Sequence, residues 1–148
     1  MATTSNTSFW QETWSRVVLY GFVALGSVIG GCARYLAGVF LQFQIVPGFP
    51  WATLFVNVTG SFVIGFYAAL TGPDGRVIAG TRQRQFVMTG ICGGYTTFSA
   101  FSLETLQLVR AGHALTALLY VGISLATWLL AVWLGHLLAT RINRPKGS

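Results

Sequence analysis

Asn57 lies inside the apolar stretch TLFVNVTGSFVIG, where a primary amide with two N–H donors has to find partners. Thr53 and Ser61 stand four residues to either side, so the three share one helical face. A second stripe, Thr116, Tyr120, Ser124 and Thr127, recurs at steps of four, four and three in a later apolar stretch. One such stripe is weak evidence, because hydroxyls in membrane helices bond back to their own backbone. Two stripes describe a hydrated or ligand-lined path, since polar groups in hydrocarbon are costly unless used. Between them runs TGICGGYTTFSAFSLETLQ. Its Gly90, Gly93 and Gly94, followed by Thr96 and Thr97, allow a helix to break, and the freed carbonyls and amides need a ligand, water or another chain. Broken helices at membrane depth bind ions through such groups. Phe98 and Phe101 follow, three apart on one face. Rings in lipid usually pack, yet their positive edges suit an anion approaching edge-on. Two charges remain inside apolar segments. Arg34 is placed where it can snorkel to the interface, and Glu104 can do the same or pair with an arginine of a neighbouring helix.

The elements that must position these groups follow from composition. Of 148 residues, 53% are hydrophobic and 8% are charged, against roughly 25% charged in a soluble domain. Four apolar stretches suffice to cross a bilayer: Val17 to Leu41, Trp51 to Thr71, Phe86 to Val109 and Ala114 to Thr140. At about 1.5 Å per residue they are roughly 30–40 Å long. Lipid offers no hydrogen bonds and no span alternates as a barrel strand does, so the fold class is an all-α membrane protein. It forms one transmembrane domain, four helices with the third broken mid-membrane, flanked by polar tails 1–15 and 141–148. Trp10 and Trp14 are interfacial anchors, and no signal peptide is read. Gly26 and Gly30 make a GxxxG pair, with Gly31 adjacent. The net charge of +6 is a matter of topology, not of nucleic acid. Cys32 and Cys92 fall in apolar stretches, which removes support for a disulfide scaffold or a zinc site. Four helices enclose little interior, so a deep path calls for a second copy or a partner.

On GGCARY (30–35), TLFVNVTGSFVIG (53–65), GICGGYTTFSAFSLE (90–104) and YVGIS (120–124), the chain resembles the Fluc (CrcB) family of fluoride ion channels. The resemblance runs from about Gly21 to the end of the fourth span. It implies an antiparallel dimer in the inner (plasma) membrane that lets fluoride leave the cell passively, and it makes the protein no enzyme. It implies a central sodium ion held by backbone carbonyls, those of Gly93 and Thr96 here. Asn57 corresponds to the pore asparagine, Phe98 and Phe101 to the phenylalanines facing fluoride, and Tyr120 and Ser124 to a hydroxyl track. Thr53 and Glu104 match a pore-lining threonine and a vestibule glutamate, and Arg34 falls at a vestibule. Two positions depart from the pattern. Trp128 stands where a further hydroxyl is expected, with Thr127 one residue earlier as a substitute, and Cys32 replaces a smaller residue.

Three other classes are weighed against this one. A small four-helix multidrug exporter uses a membrane-embedded glutamate in its first span, where this chain has no acidic residue. A non-transporting assembly subunit needs only glycine packing and an Asn57 bond, and leaves the broken glycine run unexplained. An intramembrane protease needs a serine and a histidine within reach. His113 and His136 lie at or near span ends, and no GxSG occurs.

Charge and dimer pull apart on orientation. The side bearing both termini holds seven basic residues, Arg16, Arg76, Arg82, Arg84, Arg141, Arg144 and Lys146, and the other side holds Arg110 and Arg34. Basic residues in short loops stay cytoplasmic, which favours both termini inside. An antiparallel homodimer needs both insertions of one sequence; the alternative is pairing with a homologous chain of opposite orientation. Every pore motif is present in this chain, which favours the homodimer. Cysteines placed at Ser148 and Gln44 and labelled in intact cells are expected to show an excess of molecules with termini inside. Equal external labelling at both sites would show that the charge count does not govern insertion.

Overall fold

In a computed structural model, residues 4–42 and 48–144 are described. The first three residues, most of the loop holding Pro47, Gln44 within it, and the tail with Lys146 and Ser148 lie outside them. Among the described residues all regular structure is helical. Helix α1 spans Thr4–Gln42, α2 Trp51–Leu70, α3 Thr81–Gln85, α4 Gly93–Tyr95, α5 Phe98–Arg110 and α6 Ala114–Asn143. A π-helical segment, Phe86–Cys92, joins α3 to α4. The first helix reaches back to Thr4, through part of the segment read as a polar tail. Neither Gly nor Pro interrupts the chain before Gly21, so nothing stops the helix from extending.

Among the described residues three helical stretches are long and apolar enough to cross a bilayer: Phe9–Leu41, Trp51–Leu70 and Ala114–Asn143. The protein is therefore a multi-pass membrane protein. The remaining apolar stretch is assembled from the π segment, α4 and α5. Thr96 (φ −82°, ψ 160°) and Thr97 (φ −151°, ψ 122°) are extended between α4 and α5.

Two close helix contacts organise the bundle, and each rests on missing side chains. The α2–α6 contact is the most extensive among the described residues. Gly65 and Gly135 sit at that crossing, both buried. A Cβ on Gly65 would collide with the Val132 carbonyl, and one on Gly135 with the Phe62 carbonyl. The second contact sets α1 against the π segment and α4. A Cβ on Gly26 would lie 2.6 Å from the Phe86 carbonyl oxygen and 2.9 Å from the Gly90 Cα. Gly30, the other half of the GxxxG pair, is buried against Ile91 and Tyr95, whereas Gly31 faces open space. Close backbone approach of this kind replaces the hydrophobic drive that lipid cannot supply.

The ends of the helices are tied by side chains. The Thr71 hydroxyl donates to the Tyr67 carbonyl at 2.7 Å, and the Arg84 guanidinium donates to both the carbonyl and the hydroxyl of Thr71. Asn143 Nδ2 donates to the Ala69 carbonyl (2.9 Å), while its Oδ1 accepts from the Arg76 N–H (3.1 Å). The turn from α5 to α6 passes through Gly112 at φ +81°, a left-handed conformation that costs glycine little.

Gly65→Val is expected to wedge α2 from α6 and to cost about 1–3 kcal/mol, the usual range for overpacking. Gly21→Ala, at a position facing open space, is expected to be neutral. Thermal unfolding in detergent distinguishes them; equal stability would show that the crossing tolerates a wider spacing.

Candidate functional site

The site begins with a polar side chain in an apolar helix. Asn57 is buried on α2 and pairs across forty residues of sequence with the backbone of Thr97. Its Nδ2 donates to the Thr97 carbonyl at 2.8 Å, and its Oδ1 accepts the Thr97 N–H at 2.7 Å. A primary amide presents the same donor and acceptor as a peptide group, so it satisfies both atoms of a residue that has left the helix. Nδ2 keeps one further N–H.

The extended pair is closed on its other side by a cap. Thr97 Oγ1 accepts the Ala100 N–H at 3.1 Å and thereby starts α5. The N–H groups of Thr97 and Ala100 are the ones that would bond the carbonyls of Gly93 and Thr96 in a continuous helix. Both are diverted, so those two carbonyls lose their helical partners. They are neutral oxygen ligands of the kind that broken helices offer to alkali cations. Among the described residues no cluster of three or more His, Cys, Asp or Glu stands ready to hold a metal. Cys92 is buried and Cys32 exposed, both free thiols.

The second polar centre is Glu104, on α5. Thr53 Oγ1 donates to its Oε1 at 2.7 Å and the Tyr120 hydroxyl to its Oε2 at 2.8 Å. One carboxylate thus joins α2, α5 and α6. Tyr120 is completely buried, with Phe49 edge-on at 5.3 Å and Phe101 at 5.2 Å. Phe101 also meets Trp128 at 4.9 Å, and Phe98 at 5.5 Å. The two phenylalanines touch but differ in exposure: Phe101 is 6% exposed and Phe98 69%. A three-residue step turns the helix by about 300°, so one ring enters the α5–α6 contact while the other stays at its rim.

Two cavities flank Thr97. One, of about 250 Å³, is lined by Asn57, Ser61, Cys92, Thr96, Phe98 and Trp128 among others. The other, about 290 Å³, brings together Arg34, Thr53, Ala100 and Glu104. Thr97 lines both. Of the residues singled out in sequence, Asn57, Gly93, Thr96 and Phe98 line the first, Arg34, Thr53 and Glu104 line the second, and Phe101, Tyr120 and Ser124 line neither. Arg34 is half-buried and shares its cavity with Glu104.

The stripe on α6 resolves into unlike members. Tyr120 and Ser124 are completely buried; the Ser124 hydroxyl has no hydrogen-bond partner. Thr127 donates to the carbonyls of Ile123 (2.7 Å) and Ser124 (3.1 Å), so its hydroxyl is committed to its own helix. Thr97 was legible in sequence only as part of a break. Its role as the partner of Asn57 and the cap of α5 had one local signal, a threonine directly before a helical stretch.

Comparison with known proteins places this architecture. Residues 21–136 match the family described as CrcB-like protein, Camphor Resistance (CrcB). A protein of Rhodopseudomonas palustris (strain BisB18), named fluoride-specific ion channel FluC 1, is 69% identical over 137 residues, covering 93% of this chain and 97% of its own. One of the same name from Bradyrhizobium diazoefficiens is 59% identical, with 93% and 95% covered. A fluoride-specific ion channel FluC of Paramagnetospirillum magneticum is 53% identical over 128 residues, 86% of this chain and all of its own. With that coverage, and with the GICGGYTTFSAFSLE run folded around the Asn57–Thr97 pair, the chain belongs to the CrcB-like family.

Proposed function

We propose that this protein is a fluoride-selective channel that lets fluoride leave the cytoplasm passively across the inner (plasma) membrane. The observation that carries the reading is the pair of cavities meeting at Thr97, with Asn57 holding the residue between them. Relatives that match nearly the whole chain are named fluoride-specific ion channels. Fluoride is small and tightly hydrated, so a selective path must replace water with donors. The free N–H of Asn57 and the unpartnered hydroxyl of Ser124 are such donors. Release of the ion requires that no single site bind it too well, which favours ring edges at Phe98 and Phe101 over a fixed cation. Tyr120 and Thr53 complete the track by holding Glu104, whose charge is thereby engaged and not bare. Arg34 at the same opening attracts anions from solution.

The working unit in this reading is an antiparallel dimer, formed with a second copy or with a homologous chain of opposite orientation. In support, Gly93 and Phe98 are exposed along the groove that holds Asn57, which a single chain leaves open on one side. The third apolar stretch then crosses the membrane as a broken helix, and its break lies at mid-depth. A sodium ion between two such breaks would take the carbonyls of Gly93 and Thr96 from each chain. The diverted N–H groups of Thr97 and Ala100 are what fit these residues to that ion. Its charge would compensate the carbonyl dipoles and hold the two chains together.

Purified protein in liposomes is expected to pass fluoride and retain chloride, without ATP or a proton gradient; loss of chloride as fast as fluoride would refute the reading. Asn57→Asp places a carboxylate against the Thr97 carbonyl and in the path of an anion, and is expected to cut flux more than about tenfold. Phe98→Ile and Phe101→Ile keep apolar bulk and remove the ring edge, so flux should fall while assembly persists. Wild-type flux in both variants would reduce the rings to packing.

A further inference from the structure

Among the described residues three buried side-chain polar atoms have no hydrogen-bond partner: Tyr67 OH, Ser124 Oγ and Trp128 Nε1. The last two lie four residues apart on α6 and so occupy one face on successive turns. A buried donor without an acceptor is costly, and in an apolar interior it marks a place where something else accepts. Trp128 also lines the groove that holds Asn57, Ser61 and Phe98. Packing alone accounts for its ring, which meets Phe101 at 4.9 Å and 70°. The edge contact with Phe101 uses the ring and gives no reason for the N–H. The neighbouring hydroxyl offers no substitute, because Thr127 is bonded to the carbonyls of Ile123 and Ser124.

We propose that the Trp128 indole N–H is a ligand for the permeating halide, one turn beyond Ser124, and that it sets anion specificity there. The inference rests on the fluoride reading above. An indole N–H donates and cannot accept, so it favours an anion and offers nothing to a cation, whereas a hydroxyl serves either. It also sits on a rigid ring with only two side-chain torsions, wedged by Phe101, and so presents the donor from a fixed position. A rigid donor discriminates better between a small strong acceptor and a larger weak one than a rotating hydroxyl does.

Two measurements test this. In ¹⁵N-indole-labelled protein, titration with sodium fluoride is expected to move the Trp128 N–H resonance downfield, and sodium chloride at equal concentration to leave it in place. In liposomes, Trp128→Phe keeps an aromatic ring but no N–H and is expected to lower fluoride flux about fivefold, and Trp128→Ser to restore it to within about twofold of wild type. The resonance is assigned by its loss in either variant, so one that assembles suffices. An indole signal indifferent to fluoride, or wild-type flux in Trp128→Phe, overturns the assignment while wild-type fluoride flux leaves the channel reading standing. Absence of fluoride flux in the wild type overturns both.

Discussion

The two hydrogen bonds between Asn57 and the Thr97 backbone are the constraint on which the rest of the site depends. A chain that leaves helical geometry in an apolar interior exposes peptide groups that lipid cannot satisfy, each costing several kcal/mol (of order 2–7). The asparagine amide stands in for the missing peptide partner, both as donor and as acceptor. Three consequences follow from that substitution. The backbone at Thr96 and Thr97 can be extended, Thr97 is placed to cap α5, and the carbonyls of Gly93 and Thr96 are released from helical bonding.

Around this pair the molecule spends its few polar groups economically. Glu104 receives hydroxyls from two other helices, which satisfies an acidic group that would otherwise be expensive to bury in part. The aromatic cluster of Phe49, Phe101, Tyr120 and Trp128 packs around the same tyrosine that holds Glu104. Arg76 and Arg84 count toward charge asymmetry in the sequence, yet in the fold their guanidinium groups also close helix ends, donating to the Arg144 carbonyl and to Thr71. One set of cations thus bears on topology and on the anchoring of the α2–α3 loop.

The scaffold that permits this is built by close approach. Glycines at two crossings let backbones meet where any side chain would separate them, so α2 rests on α6 and α1 on the π segment. With α1 and α6 holding the outer positions, the interrupted stretch is pressed against α2, which brings Thr97 within reach of Asn57.

Much of this was readable from residues 1–148 alone. Apolar length sets the helical segments, because backbone bonding in lipid leaves no other choice for a single chain. The amide of Asn57 needed partners in an apolar segment, and the Gly26–Gly30 pair marked a close helix contact. Only the tertiary structure decided who the partners are. That Asn57 takes the backbone of Thr97, that Phe101 is buried while Phe98 is exposed, and that Thr127 is spent on its own helix while Trp128 is left with a free N–H all depend on how helices cross. Periodicity along a chain determines which residues share a face; it carries no information about the rotation and depth at which that face meets another. Those are set by side-chain volumes and glycine gaps summed over entire interfaces, here between segments some forty residues apart, and so they exist only in the folded molecule.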